Sequence, residues 1–254
     1  MPKKLYFQNL AIETTRRCNM QCEHCLRDDN DGNKYRHDMP RQTLELLLSQ
    51  TASIGTVTFS GGEPSLALNV IRTFYQLCDK FDVSVGSFYI VTNGMTNQLE
   101  LACLFLEQYA RITDPEDRDA CGIALSIDMF HEAFLDDGPN MAVKGLAFYK
   151  PDKEHEDNND LDWVISSGRA EKFCRASVQN PRELEPTTEF TLDTDGDTIS
   201  VDMAYLSVNG CLYPECDLTY QRMDDCKEAG QDAEIQTVPV TENTPDLFDA
   251  ILNE

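Results

Sequence analysis

Leu10-Ala11-Ile12-Glu13-Thr14-Thr15, followed after two arginines by Cys18-Asn19-Met20-Gln21-Cys22-Glu23-His24-Cys25, is the stretch from which the rest of the chain can be read. The first six residues alternate apolar and polar, which predicts a β-strand ending at Thr15. A polar loop carrying three cysteines starts just past that strand's carboxyl end. The same order of events recurs downstream. Thr56–Phe59 is a short β-branched strand that stops at Ser60-Gly61-Gly62-Glu63-Pro64. Ser87–Val91 stops at Thr92-Asn93-Gly94, and Gly122–Ile127 stops at Asp128. Trp163–Ile165 reads as a further strand, stopping at Ser166-Ser167-Gly168-Arg169.

Between these strands the apolar period changes to that of a helix. Arg41–Thr51, Leu66–Phe81, Gln98–Ala110 and Met141–Tyr149 are the predicted helices, and the charged run Lys150–Asp162 is a surface loop. Strands alternating with helices imply parallel pairing with helices as cover. In such folds the ligand site forms at the carboxyl ends of the strands. Every polar motif above lies at such an end, so the motifs are expected to meet in space. From Glu189 onward the pattern differs. Phe190–Leu192, Thr198–Met203 and Tyr205–Val208 read as short strands separated by Asp-Gly and Asn-Gly turns, a hairpin signature. Pro245–Leu252 reads as a terminal helix.

The chain has 254 residues, of which 41% are hydrophobic, enough for a substantial core. No run approaches the ~20 apolar residues that a membrane helix requires, and the start does not read as a secretory signal. A net charge of −24 disfavours nucleic acid as a partner of the surface as a whole. The first 41 residues run against that balance, with eight Lys/Arg to six Asp/Glu. Ten cysteines without an export signal point to reduced thiols in the cytoplasm, where metal binding or catalysis takes precedence over disulfides.

The spacing C-x3-C-x2-C puts three soft thiolates on one short loop, which suits zinc or iron–sulfur chemistry. A 4Fe–4S cluster ordinarily takes four cysteines. Three would leave one iron open to an outside ligand. Structural zinc would need a fourth protein ligand, such as His24 or a remote cysteine. Spacing alone leaves both readings open.

The cysteine loop after the first strand, followed by Gly61-Gly62-Glu63-Pro64 after the second, resembles the radical S-adenosylmethionine (radical SAM) superfamily. The resemblance covers about residues 10–170. It implies an incomplete (βα)6 TIM-like barrel over residues 1–187. Residues 188–254 then form a small C-terminal β-hairpin extension with a terminal helix. It also implies a 4Fe–4S cluster held by Cys18, Cys22 and Cys25, with the amine and carboxylate of S-adenosylmethionine chelating the fourth iron. Reduction would cleave the cofactor and release a 5′-deoxyadenosyl radical that abstracts hydrogen from a substrate.

The resemblance further nominates Gly61, Gly62, Glu63, Pro64, Thr92, Asn93, Ser126 and Asp128 as cofactor-binding. Arg169 joins them as a partner for a carboxylate. His24 stands where relatives commonly carry an aromatic residue against the adenine. For each there is a plainer alternative: a strand-to-helix turn at Gly61–Pro64, an αL turn at Asn93-Gly94, and surface or loop residues at His24, His131 and Arg169.

Cys211, Cys216 and Cys226 follow the hairpin turn. They could hold a second iron–sulfur cluster with Cys174, or simply pack. A flavodoxin or ferredoxin-type electron donor is implied by the chemistry. The acidic surface suits a basic peptide or protein substrate, with a small metabolite or modified nucleobase as the alternative. Two rivals belong to other classes: a zinc-stabilised binding module, and a cluster-bearing scaffold without radical chemistry.

Overall fold

Among the described residues, six strands run parallel and three more extend the same sheet. The computed structural model describes residues 4–27, 37–128, 130–131, 143–151, 163–178, 183, 185–244 and 246–252. Strands β1 (Lys4–Thr15), β2 (Thr51–Gly61), β3 (Ser84–Thr92), β4 (Gly122–Leu125) and β5 (Tyr149–Pro151) pair in parallel in chain order. The sixth parallel strand, β7 (Thr198–Leu206), lies on the other edge of β1. Two strands pair antiparallel with β7, β6 (Leu192–Asp195) with its first half and β8 (Cys211–Tyr213) with its last residues. β9 (Val238–Pro239) pairs with β8. The sheet runs from β5 to β9 without closing.

Register sorts the side chains onto two faces. Leu206, Ile12, Phe59, Ile90, Ile123 and Tyr149 are aligned across six strands, and all are buried. Residues one position earlier, Tyr205, Ala11, Thr58, Tyr89 and Gly122, point to the opposite face. The first face packs against helices α1 (Arg41–Leu48), α2 (Leu68–Phe81) and α3 (Gln98–Tyr109) in the main apolar core. Phe59 meets Phe74 edge-on at 5.3 Å, and Phe88 meets Phe105 at 5.0 Å. The other helices are α4 (Pro115–Ala120), α5 (Arg169–Ser177), α6 (Tyr220–Ala229) and α7 (Leu247–Leu252). The second face is covered near β1 and β7 by Met223 and Cys226 of α6, with Ala11, Tyr205 and Tyr213. No helix among the described residues is long and apolar enough to cross a membrane.

Several boundaries differ from the sequence reading. The first helix ends at Leu48, because the Thr51 hydroxyl donates to the Leu47 carbonyl and Thr51 already opens β2. The polar start of β2, with Gly55 in it, hides its strand character. Pairing with Leu5–Phe7 on one side and with Ser84 and Val85 on the other recruits it. Trp163 and Val164 do not form a strand. Val164 packs with Ala170 and Cys174 in a small separate cluster, and the fifth parallel strand is Tyr149–Pro151. Thr198–Leu206 is one strand, not two, because its whole length is templated by β1. β6 covers Leu192–Asp195, later than the expected Phe190–Leu192. Met141, Ala142, Asp152–Asp162 and Pro245 lie outside the described residues.

A buried ionic group ties the C-terminal segment to the strand that leads into the cysteine loop. The Arg16 guanidinium donates to Glu13 Oε2 at 3.3 Å, to Asp224 Oδ2 at 2.9 Å and to Ser207 Oγ at 3.0 Å. It also lies over the Tyr220 ring at 4.4 Å. Glu13 Oε2 accepts in addition from the Ser207 hydroxyl at 2.6 Å and the Val208 N–H at 2.7 Å. The opposite charges and these hydrogen bonds outweigh burial and raise the Arg16 pKa further. A buried cation removed from between two carboxylates leaves them uncompensated. Arg16→Leu is therefore expected to cost about 3–5 kcal/mol in urea unfolding. A loss below about 1 kcal/mol would show that the network does not hold the segment in place.

Candidate active site

The cysteine loop and the glycine turn are joined through their backbones. Past β1 and β2 the Gly62 N–H donates to the Thr15 carbonyl at 2.7 Å, and the Glu63 N–H donates to the Arg17 carbonyl at 2.9 Å. Gly61 sits at φ 134°, and a Cβ there would run into the Thr15 carbonyl. A Cβ on Gly62 would run into the Arg17 carbonyl. Only glycine permits this approach.

Glu63 is fully buried and N-caps the one-turn helix that Pro64 opens. Its Oε1 accepts from the Ser65 N–H at 2.9 Å and from the Thr92 hydroxyl at 2.7 Å. Its Oε2 accepts from the Asn93 N–H at 2.8 Å. Burial raises the Glu63 carboxyl above its ordinary range, against the pull of these donors. Its carboxylate thus spans from the end of β2 to the end of β3. Thr92 Oγ1 accepts in turn from the Gly94 N–H and from Gln98 Nε2. The Asn93 amide donates to Asn19 Oδ1 at 2.8 Å and lies 3.9 Å from Cys18 Sγ. Asn19 donates to Thr96 Oγ1 at 3.2 Å. The Ser126 N–H donates to the Thr92 carbonyl at 3.0 Å, extending the β3–β4 register by one step.

Arg169 begins α5, and its N–H donates to the Cys25 carbonyl at 3.0 Å. Gly168 is packed against the Cys25 and Leu26 carbonyls. The cysteine loop is therefore held at both ends, by the glycine turn and by Gly168-Arg169.

Asp128 and His131 are buried beside this loop. Asp128 Oδ1 accepts from the Phe130 N–H and from His131 Nδ1, each at 2.8 Å. Its Oδ2 is 3.6 Å from His24 Nε2. His131 Nε2 lies 3.4 Å from Cys22 Sγ. Burial opposes charge on both groups. Their mutual hydrogen bond and attraction outweigh it, pushing His131 up to about 9 and holding Asp128 below the usual carboxylate range. His24 stacks on Phe130 with centroids 4.2 Å apart and meets Trp163 edge-on at 5.6 Å. Phe130 and Trp163 were not nominated from the sequence. Their only signal is an aromatic residue close to one of the polar motifs at the strand ends.

The nominated residues of the cysteine loop, the glycine turn, Thr92-Asn93 and Ser126–Asp128 are thus linked around one mouth by these contacts or by sequence adjacency, and the Arg169 backbone joins them at Cys25. A cleft of about 380 Å³ opens there, lined by Asn19, Met20, Gln21, Cys22, Glu23, Met95 and Phe130. That falls within the ~300–1,000 Å³ of small-molecule sites. A second cleft shares Gln21 and Glu23 and includes Arg169 and Lys172.

The donor set bears on the two metal readings. A single tetrahedral zinc with bonds of ~2.3 Å holds its sulfurs within about 4 Å of each other. Among the described residues, the one set of three His, Cys, Asp or Glu ligand atoms within 4.8 Å of one another is His24, Asp128 and His131. The sulfurs of Cys18, Cys22 and Cys25 do not form such a set, so they are not gathered for a single zinc ion. All are free thiols. Desolvation, reinforced by Glu63 and the other two cysteines, holds the Cys18 thiol at about 11. Coordination to a cation would remove that penalty. Elsewhere, Cys211 and Cys226 are buried in the apolar cluster under α6 with Cys216 at its margin, whereas Cys174 packs with Val164 and Ala170.

A family model described as the radical SAM superfamily matches residues 12–136. The chain is 28% identical over 90 residues to a probable GTP 3′,8-cyclase of Methanocaldococcus jannaschii, covering 35% of this chain and 29% of that protein. It is 26% identical over 88 residues to an uncharacterized protein of the same organism, covering 34% and 30%. These alignments span less than a third of either relative's length. Among solved structures, it superposes on anSMEcpe with bound AdoMet at a TM-score of 0.47 and 14% identity, covering 83% of this chain and 74% of that one. It superposes on BtrN in complex with AdoMet and 2-DOIA at a TM-score of 0.48 and 15% identity, covering 98% and 83%.

Glu63→Gln tests the carboxylate clasp. The amide nitrogen would face a donor on at least one side, so a loss of about 1–3 kcal/mol is expected in chemical unfolding. Stability equal to the parent's would show that the carboxylate does not hold β2 to β3.

Proposed function

Since the chain belongs to the radical SAM superfamily, carrying that domain over residues 12–136, we propose that it reductively cleaves S-adenosylmethionine at a cluster on Cys18, Cys22 and Cys25. The observation that carries this reading is the backbone junction of the cysteine loop with Gly61-Gly62. It joins the loop that carries the three cysteines to the glycine turn. When bound, a three-cysteine 4Fe–4S cluster and S-adenosylmethionine supply a 5′-deoxyadenosyl radical for hydrogen abstraction.

The chain's own residues hold and shield that chemistry. Gly61 and Gly62 present backbone to the cofactor, and Pro64 turns the chain away. Glu63 orients Thr92 and Asn93, and both its oxygens accept hydrogen bonds from the protein. Asn93 steadies the cysteine loop through Asn19. Ser126 and Asp128, at the end of β4, face the cofactor's sugar and methionyl part. His24, with Phe130 and Trp163, forms an aromatic wall for the adenine, and Arg169 offers a cation to a carboxylate.

Cys211 and Cys226 belong to packing in this reading, because they share an apolar cluster from which Cys174 is absent. A second iron–sulfur cluster is therefore not part of the proposal. A flavodoxin or ferredoxin delivers the electron. The net charge of −24 favours a basic peptide or protein as substrate. Ten free thiols fit the reducing cytoplasm.

Anaerobic reconstitution, reduction with dithionite and chromatography for 5′-deoxyadenosine test the reaction. The wild type is expected to take up iron and sulfide in equal amounts and to release 5′-deoxyadenosine. Cys22→Ala should lose both cluster colour and cleavage. Gly62→Ala should lower iron uptake, because its methyl drives the turn off the Arg17 carbonyl. Zinc in place of iron would favour the binding-module reading. A loaded cluster without cleavage would favour the scaffold.

A further inference from the structure

The sulfur of Cys22 meets the imidazole of His131. His131 Nε2 lies 3.4 Å from Cys22 Sγ, and His131 Nδ1 lies 2.8 Å from Asp128 Oδ1. Both residues of the dyad are buried. Asp128 Oδ1 also accepts the Phe130 N–H, so it is the acceptor and the imidazole donates through Nδ1. Asp128 lies three residues past the end of β4, which ties the dyad to the sheet rather than to the loop it touches.

Building on the cluster reading above, we propose that His131, positioned by Asp128, donates an N–H···S hydrogen bond to the Cys22 thiolate and raises the reduction potential of the cluster. An iron-bound thiolate carries no proton. A ring nitrogen 3.4 Å from it makes a favourable contact only as the donor. The ring then donates from both nitrogens, and its charge is matched by Asp128. Hydrogen bonds to ligating sulfurs and local net charge are the protein's principal means of setting cluster potentials. A donor aimed at sulfur draws electron density from the iron–thiolate bond and so favours the state with the extra electron. That electron comes from the external one-electron donor. No bond at His131 forms or breaks, and its proton stays on nitrogen. Cys18 receives the Met20 N–H and the more distant Asn93 amide, so the charged donor acts on one corner of the cluster. His131 is a positioning residue in this scheme, without contact to the reacting carbon–sulfur bond.

The test is a mediated redox titration at fixed pH of the anaerobically reconstituted full chain, followed by electron paramagnetic resonance, with iron and sulfide measured on the same samples. His131→Leu is expected to make reduction about tenfold less favourable, a shift of ~59 mV to lower potential for a one-electron couple. His131→Gln keeps an N–H at a similar reach and should recover most of that shift. Asp128→Asn should move the potential in the same direction as His131→Leu, by less. If His131→Leu does not load, the Gln and Asn variants decide the matter. An unchanged midpoint in both His131→Leu and Asp128→Asn, at full iron and sulfide content, would overturn the inference. So would a His131→Gln shift as large as that of His131→Leu. Failure of the wild type to assemble any iron–sulfur cluster would overturn the reading beneath it as well.

Discussion

The close passage of Gly61 and Gly62 over the Thr15 and Arg17 carbonyls is the constraint on which the site depends. Parallel pairing brings β1 and β2 side by side, but pairing ends with the strands. Beyond Thr15 and Gly61 the two chains would diverge, one into a cysteine loop and the other into a helix. Two backbone hydrogen bonds keep them together for one further step, and they form because neither glycine has a side chain to keep the backbones apart. The direction of Glu63 follows. With its N–H committed to Arg17, its side chain is turned inward, where it meets the end of β3.

Glu63 then acts as a buried acceptor that gathers three donors from two segments. A carboxylate has four lone-pair sites and no proton to give, so it suits a place where main-chain N–H groups and a hydroxyl converge. Burial makes the charge costly, and the three donors offset part of that cost. The joining of the β2 and β3 ends therefore rests on one carboxyl group rather than on apolar packing, whose main core lies on the opposite, helix-covered face of the sheet.

Much of this was legible in the sequence. Alternation in Leu10–Thr15 and the turn signals after each strand locate β1 to β4. The rule that sites gather at strand carboxyl ends brings Cys18–Cys25, Gly61–Pro64, Thr92-Asn93 and Ser126–Asp128 to one mouth. Roles were less legible than positions. A carboxylate beside a glycine turn reads as ligand-facing, yet Glu63 spends both oxygens on the protein, because residues thirty positions away supply the donors. Local pattern carries no record of such partners. The same limit hid β7. Thr198–Leu206 has the turns of a hairpin at its ends, but its long edge pairs in parallel with β1. Trp163–Ile165 has strand composition, yet its apolar residues find a small cluster of their own.

The C-terminal segment also bears on the cysteine loop in a way that composition does not suggest. β7 and α6 supply Ser207 and Asp224 to Arg16, at the residue where β1 gives way to the loop. Past the loop, Arg27 donates to the Leu218 carbonyl, lies over the Tyr205 ring at 4.7 Å, and accepts the Tyr220 N–H on its own carbonyl. The loop is thus anchored on both flanks to the C-terminal segment, and between them to the glycine turn, to Asn93 and to Gly168-Arg169. The short middle, Met20 to Glu23, lines the cleft, and within it Cys22 Sγ lies 3.4 Å from His131 Nε2. Ordering a flexible loop around a ligand costs roughly 1–2 kcal/mol per residue fixed. A loop whose ends are already fixed pays that cost in folding, so less of the binding energy is spent when a cluster and its cofactor arrive.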